Sequence, residues 1–133
     1  PTQAEDLSGL KFIREHSNLP IFADESVNRS NGIPRLANVV DGINIKLSKC
    51  GGLLEAIRMI HVARNHNLQV MIGCMIESSI SITAAAHLTP LVDFADLDGH
   101  LLVSNDPYRG VTLDQGKLVL PDRPGIGVLK RHN

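Results

Sequence analysis

The sequence has almost no excess of either charge: 13 lysines and arginines stand against 14 aspartates and glutamates, a formal net charge of −1. No basic run or patch breaks that balance, which excludes the usual footprint of a nucleic-acid partner or an anionic membrane surface. No apolar stretch reaches the roughly 18 residues that a membrane-spanning helix needs. Nothing resembles a signal peptide, and no segment is of low complexity. Cysteine is scarce. Cys50 and Cys74 are the only two, and they share no metal-type spacing, so reduced thiols in a cytoplasmic protein are the expectation. The six histidines are scattered, and His61 and His66, on one predicted helix, are poorly spaced to ligate together. What remains is 133 residues, 43% hydrophobic and 20% charged, ordinary for a soluble globular domain with one core.

Within that composition, helix and strand patterns alternate. Leu7, Leu10 and Ile13 form a helical stripe to about His16, opened by Thr2-Gln3-Ala4-Glu5, which reads as a capping box. Asn18-Leu19-Pro20 breaks it, and Ile21-Phe22-Ala23 reads as a short buried strand ending in Asp24-Glu25-Ser26. After a loop at Asn31-Gly32, Pro34 suits the first turn of a helix running to about Val40. Residues 42–47 form the next strand, and Leu53, Ala56, Ile57, Ile60 and Ala63 recur at helix spacing until residues 65–67 end it. A strand over 68–72 runs into Gly73-Cys74-Met75-Ile76-Glu77, a short alanine-rich helix covers 81–88, and a strand over 94–97 carries Asp96 and Asp98. The pattern then changes to a hairpin over 110–120, turning at Asp114-Gln115-Gly116.

The organising stretch is Asn44-Ile45-Lys46-Leu47-Ser48-Lys49-Cys50-Gly51-Gly52. Strand side chains alternate faces, so Asn44 and Lys46 point one way and Ile43, Ile45 and Leu47 the other. A lysine at the end of a buried strand is an expensive charge unless the strand lines a site that needs an amine. Alternating helix and strand imply a parallel sheet, open and doubly wound or closed as a (β/α) barrel. Polar residues stand at four successive strand ends: Asp24, Lys46, the 74–77 stretch, and Asp96 with Asp98. That distribution favours the barrel, whose active site occupies this face, over an open sheet with one switch point. Four strands are half of a barrel of roughly 250 residues. A carboxylate such as Asp24 suits a hard cation such as Mg²⁺, and an amine beside a divalent cation gives up its proton more readily. Singly, Asp24 could be a loop carboxylate, Lys46 a snorkelling lysine and Asp96-Leu97-Asp98 a solvated turn. Jointly, at successive strand ends, they ask for chemistry.

Ala23-Asp24-Glu25-Ser26, the Asn44–Gly52 stretch and Gly73-Cys74-Met75-Ile76-Glu77 together resemble the enolase superfamily, most closely its muconate-lactonizing-type subgroup. Asp96-Leu97-Asp98 resembles the Asp-x-Asp signature of the dipeptide epimerases of L-Ala-D/L-Glu type, and Pro124-Gly125-Ile126-Gly127 is similar to their closing sequence. The resemblance implies an α/β fold, with residues 1–102 as the C-terminal half of an enolase-type TIM-like barrel. Residues 103–133 would return to an α+β capping domain outside this chain. It further implies Asp24 as a ligand of Mg²⁺, Lys46 as one of two acid/base lysines, Asp96 and Asp98 as partners of a dipeptide ammonium, and Cys74 and Ile76 as contacts to the dipeptide backbone. Lys49 would have a local structural role, and Glu25 and Glu77 would either be structural or support the residues that touch metal and substrate. Pro1 matches the proline that follows a metal-ligating glutamate in these enzymes, so the other ligands and the second lysine would lie upstream. The implied activity is 1,1-proton transfer on a dipeptide by the complete protein, an isomerase, with the isolated chain inactive. The implied partners are the dipeptide and the N-terminal part of the same enzyme; a homo-oligomer stays open. A cycloisomerase or o-succinylbenzoate synthase of the same subgroup, or a non-catalytic α/β binding domain, are the alternatives.

Overall fold

In the computed structural model, which describes residues 2–131, the first helix, α1 (Leu7–His16), is capped by Asp6. Its Oδ1 accepts from the Gly9 amide at 2.8 Å and the Ser8 hydroxyl at 2.9 Å. This corrects the expected capping box at Thr2–Glu5: Asp6 stands next to the first turn, and its carboxylate accepts the amide that Thr2 is too far back to reach. The helix expected from Pro34 to about Val40 is also shorter than its pattern. A single 3₁₀ turn, Pro34–Leu36, stands there instead, preceded by another at Ser30–Gly32, and Asn38 at φ 63° ends the run.

Strands β1 (Phe22–Ala23), β2 (Gly42–Lys46), β3 (Gln69–Gly73) and β4 (Phe94–Ala95) are parallel and lie side by side in chain order. An order without reversal leaves no switch point among the described strands and matches a segment of barrel wall, as the polar tips suggested. Between β2 and β3 runs α3 (Leu53–Asn65). Its Ala56, Met59, Ile60 and Ala63 are buried beside Ile43, Ile45, Val70 and Ile72, which together form the core on one sheet face. Burying these β-branched side chains at about 25 cal/mol per Å² is what holds helix to sheet.

The other face carries Phe22, Asn44, Met71 and Phe94. The rings of Phe22 and Phe94, on the two outermost strands, meet edge to face with centroids 5.6 Å apart. Three strand spacings would put their backbones roughly 14 Å apart in a flat sheet, so the outer strands lean toward one another over this face.

After β3 comes α4 (Ser79–Ala86), beginning two residues earlier than its pattern. The C-terminal segment is anchored to it. Buried Asp106 accepts from both the Ser79 amide and hydroxyl at 2.6 Å and from the Tyr108 amide at 3.0 Å. Thr83 Oγ1 accepts from the Val111 amide at 2.9 Å. Strand β5 (Tyr108–Arg109) pairs antiparallel with β8 (Leu129–Lys130), a pairing the sequence pattern did not announce. The expected hairpin is present as β6 (Thr112–Asp114) and β7 (Lys117–Val119). It turns on Gln115 and Gly116, both at positive φ, as a two-residue hairpin loop requires. Among the described residues no helix is long and apolar enough to cross a membrane.

Candidate functional site

Lys46 ends β2 on the same face as Asn44, and its side chain is only 13% exposed. Its backbone partner in the sheet is Gly73, where a Cβ would press on the side-chain amide of Asn44. Directly after it the chain turns into α2 (Leu47–Cys50), so Leu47 belongs to this turn rather than to the strand. Gly51 at φ 96° and Gly52 at φ 122° then release the chain into α3, conformations that L side chains adopt only under strain. One helical turn separates Lys46 from Lys49 and brings both ammonium groups to one carboxylate.

That carboxylate is Asp24, just past β1. Lys46 Nζ donates to Asp24 Oδ2 at 2.8 Å, and Lys49 Nζ donates to Oδ1 at 2.7 Å and to Glu25 Oε1 at 2.5 Å. Burial by itself would raise the Asp24 carboxyl. The hydrogen bonds and charges of the two lysines outweigh it and hold the group below the usual carboxylate range. Lys49 is opposed by burial in the same way, and Asp24 and Glu25 hold its ammonium above the ordinary lysine value. Lys49 and Glu25 thus complete the charge cluster around Asp24.

Asp24 is ionised, 38% exposed at the side chain and already the seat of two cationic groups. It is a hard oxygen donor of the kind Mg²⁺ takes. It is a single donor, however, and no group of three or more His, Cys, Asp or Glu side chains that could hold a metal occurs among the described residues. The match of Pro1 to a proline beside a metal ligand lies outside the described residues.

The other strand ends meet at a cavity of about 560 Å³, bounded by Cys74, Met75 and Ile76 after β3 and by Asp96, Asp98, Gly99 and Leu102 after β4. All four residues expected on the substrate side, Cys74, Ile76, Asp96 and Asp98, line this one cavity. The fourth strand is shorter than its pattern: pairing ends at Ala95, so Asp96 and Asp98 stand on the loop beyond it and not on the strand. The alternation persists nonetheless, with Leu97 buried between two exposed carboxylates. The Asp96 amide still donates to Ile72 O at 2.9 Å, which carries the extended geometry one residue past the ladder. Asp98 precedes a 3₁₀ turn, Gly99–Leu102, and its side chain makes no capping bond.

Gly99 explains why the two loops meet so closely. A Cβ there would overlap the Met75 carbonyl oxygen and press on Cys74 Sγ. Cys74 Sγ lies 3.9 Å from Asp98 Oδ1. Burial pushes the Cys74 thiol up against the lowering hydrogen bond from the Gly99 amide, and the charges of Asp96, Asp98 and Glu77 add to the rise, so it stays protonated and donates. Glu77 binds the loop from behind, accepting from the Met75 amide at 2.9 Å, from Ser48 Oγ at 3.2 Å and from Ser81 Oγ. Through Ser48, two residues after Lys46, it joins the cavity loop to the lysine's own turn. Met75, Gly99 and Leu102 were not singled out from sequence. Met75 sits between two residues that were, and Leu102 has no local signal, since only the 3₁₀ turn brings it round to the cavity.

Residues 1–131 match the family described as enolase C-terminal domain-like. The chain is 48% identical over 130 residues to the L-Ala-D/L-Glu epimerase of Bacteroides thetaiotaomicron, a match covering 98% of this chain and 34% of that protein. Among solved structures, a substrate-liganded complex of the L-Ala-D/L-Glu epimerase of Bacillus subtilis superposes with a TM-score of 0.91 at 33% identity, covering 98% of this chain and 38% of that one. A dipeptide epimerase of Enterococcus faecalis complexed with Mg and the dipeptide L-Leu-L-Tyr gives 0.88 at 39% identity, covering 96% and 38%. The chain therefore spans about a third of the length of the curated relatives it matches.

Proposed function

Because the chain belongs to the enolase C-terminal domain-like family, we propose that it is the C-terminal portion of a Mg²⁺-dependent dipeptide epimerase. One observation carries the reading. A lysine and a carboxylate on adjacent strand ends, 2.8 Å apart, share one sheet rim with a carboxylate-bearing cavity.

Asp24 is the residue of this chain that would hold Mg²⁺, with further ligands from sequence outside it. When bound, the ion supplies Lewis-acid polarisation of a substrate carboxylate, easing loss of the adjacent proton. Lys46 Nζ takes or returns that proton on one face of the α-carbon. Its low exposure excludes bulk water from the amine, and Asp24 fixes its direction. Inversion needs a second amine on the opposite face, which this chain does not supply. Asp96 and Asp98 hold the free ammonium of the dipeptide, and Cys74 and Ile76 pack along its backbone. Residues 103–131, anchored to α4 through Asp106, continue toward a capping domain contributed by the rest of the protein.

The carboxylate pair gives the test. Each charge-assisted hydrogen bond contributes about 1.5–3 kcal/mol, roughly 10- to 150-fold in binding. In the complete protein, Asp96→Asn and Asp98→Asn weaken free dipeptides by that order and leave N-acetylated dipeptides nearly unchanged. Equal losses for both, or a preference for the acetylated form in the unsubstituted protein, would hand the site to a cycloisomerase or synthase chemistry.

A further inference from the structure

Resting on the reading of Lys46 as a proton-transferring group, we infer that Glu77 is its positioning residue: the Glu77 carboxylate sets the separation between the Lys46 turn and the loop that holds the substrate backbone. Glu77 follows Ile76 directly and is half-buried. Its Oε1 accepts from the Met75 amide at 2.9 Å and from Ser48 Oγ at 3.2 Å, and its Oε2 accepts from Ser81 Oγ. One side chain thus joins the cavity loop, α2 and α4, and every donor it uses belongs to this chain.

Lys46 is reached through α2. This single turn, Leu47–Cys50, begins directly after the lysine, with Leu47 and Cys50 buried. Its other two residues are tied to the loops on either side. Lys49 binds Asp24 and Glu25 past β1, and Ser48 binds Glu77 past β3. Asp24 fixes the direction of the Lys46 amine. Glu77 fixes the turn beneath it relative to Cys74 and Ile76, the proposed contacts of the dipeptide. Proton transfer is steep in that separation, since a misplacement of about 1 Å costs roughly 10²-fold.

A direct part in the chemistry fits Glu77 less well. Both of its oxygens are taken by donors of the chain, and it does not border the cavity of about 560 Å³. A purely local brace would need only Met75 and Ser81, close by in the chain. The bond to Ser48 instead crosses to the neighbouring strand end, 29 residues away.

The test follows α-proton exchange in D₂O by the complete protein, with L-alanyl-L-glutamate and L-alanyl-D-glutamate as the probes. Lys46→Ala first identifies the epimer that Lys46 serves. Ser48→Ala cuts only the tie to the Lys46 turn, and Ser48 is exposed, so little packing is lost. It should lower kcat for that same epimer about 10-fold or more, with KM and the exchange of the other epimer unchanged. Glu77→Ala frees the loop as well and should slow both epimers and raise KM. Glu77→Gln keeps Oε1 as an acceptor and lets the Ser81 hydroxyl turn to accept from the new amide, so it should restore most of what Glu77→Ala loses. Thermal unfolding of each variant checks the fold. Ser48→Ala slowing both epimers equally, or neither, overturns this inference alone. Glu77→Gln as poor as Glu77→Ala overturns it too, because the charge itself would then be at work. If the unsubstituted protein exchanges neither probe, or Lys46→Ala spares both, the reading of the site fails and this inference with it.

Discussion

Single residues carry the site's electrostatics. Asp24 is held ionised by Lys46 and Lys49, so its pairing contributes to stability above the ordinary carboxylate range and is lost as pH falls through its lowered value. Asp106 follows the same rule: burial raises its carboxyl, and the hydrogen bonds from Ser79 and Tyr108 bring it below the usual value. Asp106→Asn leaves a site with three donors and one neutral acceptor group. It should destabilise the complete protein at neutral pH by about 1–3 kcal/mol, and the deficit should shrink as pH falls below the ordinary carboxylate range, where the unfolded chain protonates first, and vanish once pH has passed the lowered native value. Thermal unfolding at pH 7 and pH 3.5 measures both. An equal deficit at the two pH values would mean that the charge of Asp106 is irrelevant. At this scale much was readable from sequence. Asp24, Lys46, Asp96 and Asp98 stood out because a charge at a strand end has few reasons to be there. Asp106 gave no such signal, since its three partners lie on α4 and β5 and only the fold brings α4 to it.

The elements show where local pattern and tertiary structure part. Helices α1 and α3 follow their apolar stripes, and the hairpin follows its turn residues, because the forces that set them are local. The strand edges do not. Residue 97 keeps the alternation of a strand while pairing stops at Ala95, since a ladder needs a neighbour and β3 bends away into the cavity loop. A second pattern invisible to local reading repeats at the opposite rim. Asp41 accepts from the Ile21 amide and from Arg14, both at 2.8 Å, and Asp93 accepts from the Val70 amide at 2.7 Å and from Arg64 at 2.6 Å. Each aspartate, just before one strand, thus ties the start of the preceding strand to the helix beside it. The loop contact at Gly99 is the element-scale feature that most directly shapes the cavity. Gly99→Ala must displace the Met75 carbonyl, which is backbone and cannot rotate aside. The complete protein carrying it should keep its fold and raise KM for dipeptides about 10-fold or more. A crystal structure with an unmoved Met75 loop, or an unchanged KM, would remove the role given to this contact.

At the scale of the whole molecule, the four strands form a wall whose second face, with Phe22, Met71 and Phe94, has only part of its cover within the described residues. Strand order was legible from the rhythm of helix and strand; the cover of that face was not, because no local pattern says which distant segments pack on it. The same division applies to the chemistry. In the proposed mechanism this chain supplies one of the two proton-transferring lysines, Lys46, and one metal-type carboxylate, Asp24, so the isolated chain should show no dipeptide epimerisation above a metal-free control. In the proposed mechanism Lys46 is the proton-transferring group on one face of the substrate. This role is tested most directly by following α-proton exchange and epimerisation together, by ¹H NMR in D₂O, for each dipeptide epimer with the complete protein and its Lys46→Ala variant. The expected result is loss of epimerisation by at least about 10²-fold, with one epimer still exchanging its α-proton through the amine on the other face. Near-normal epimerisation by Lys46→Ala would contradict the account.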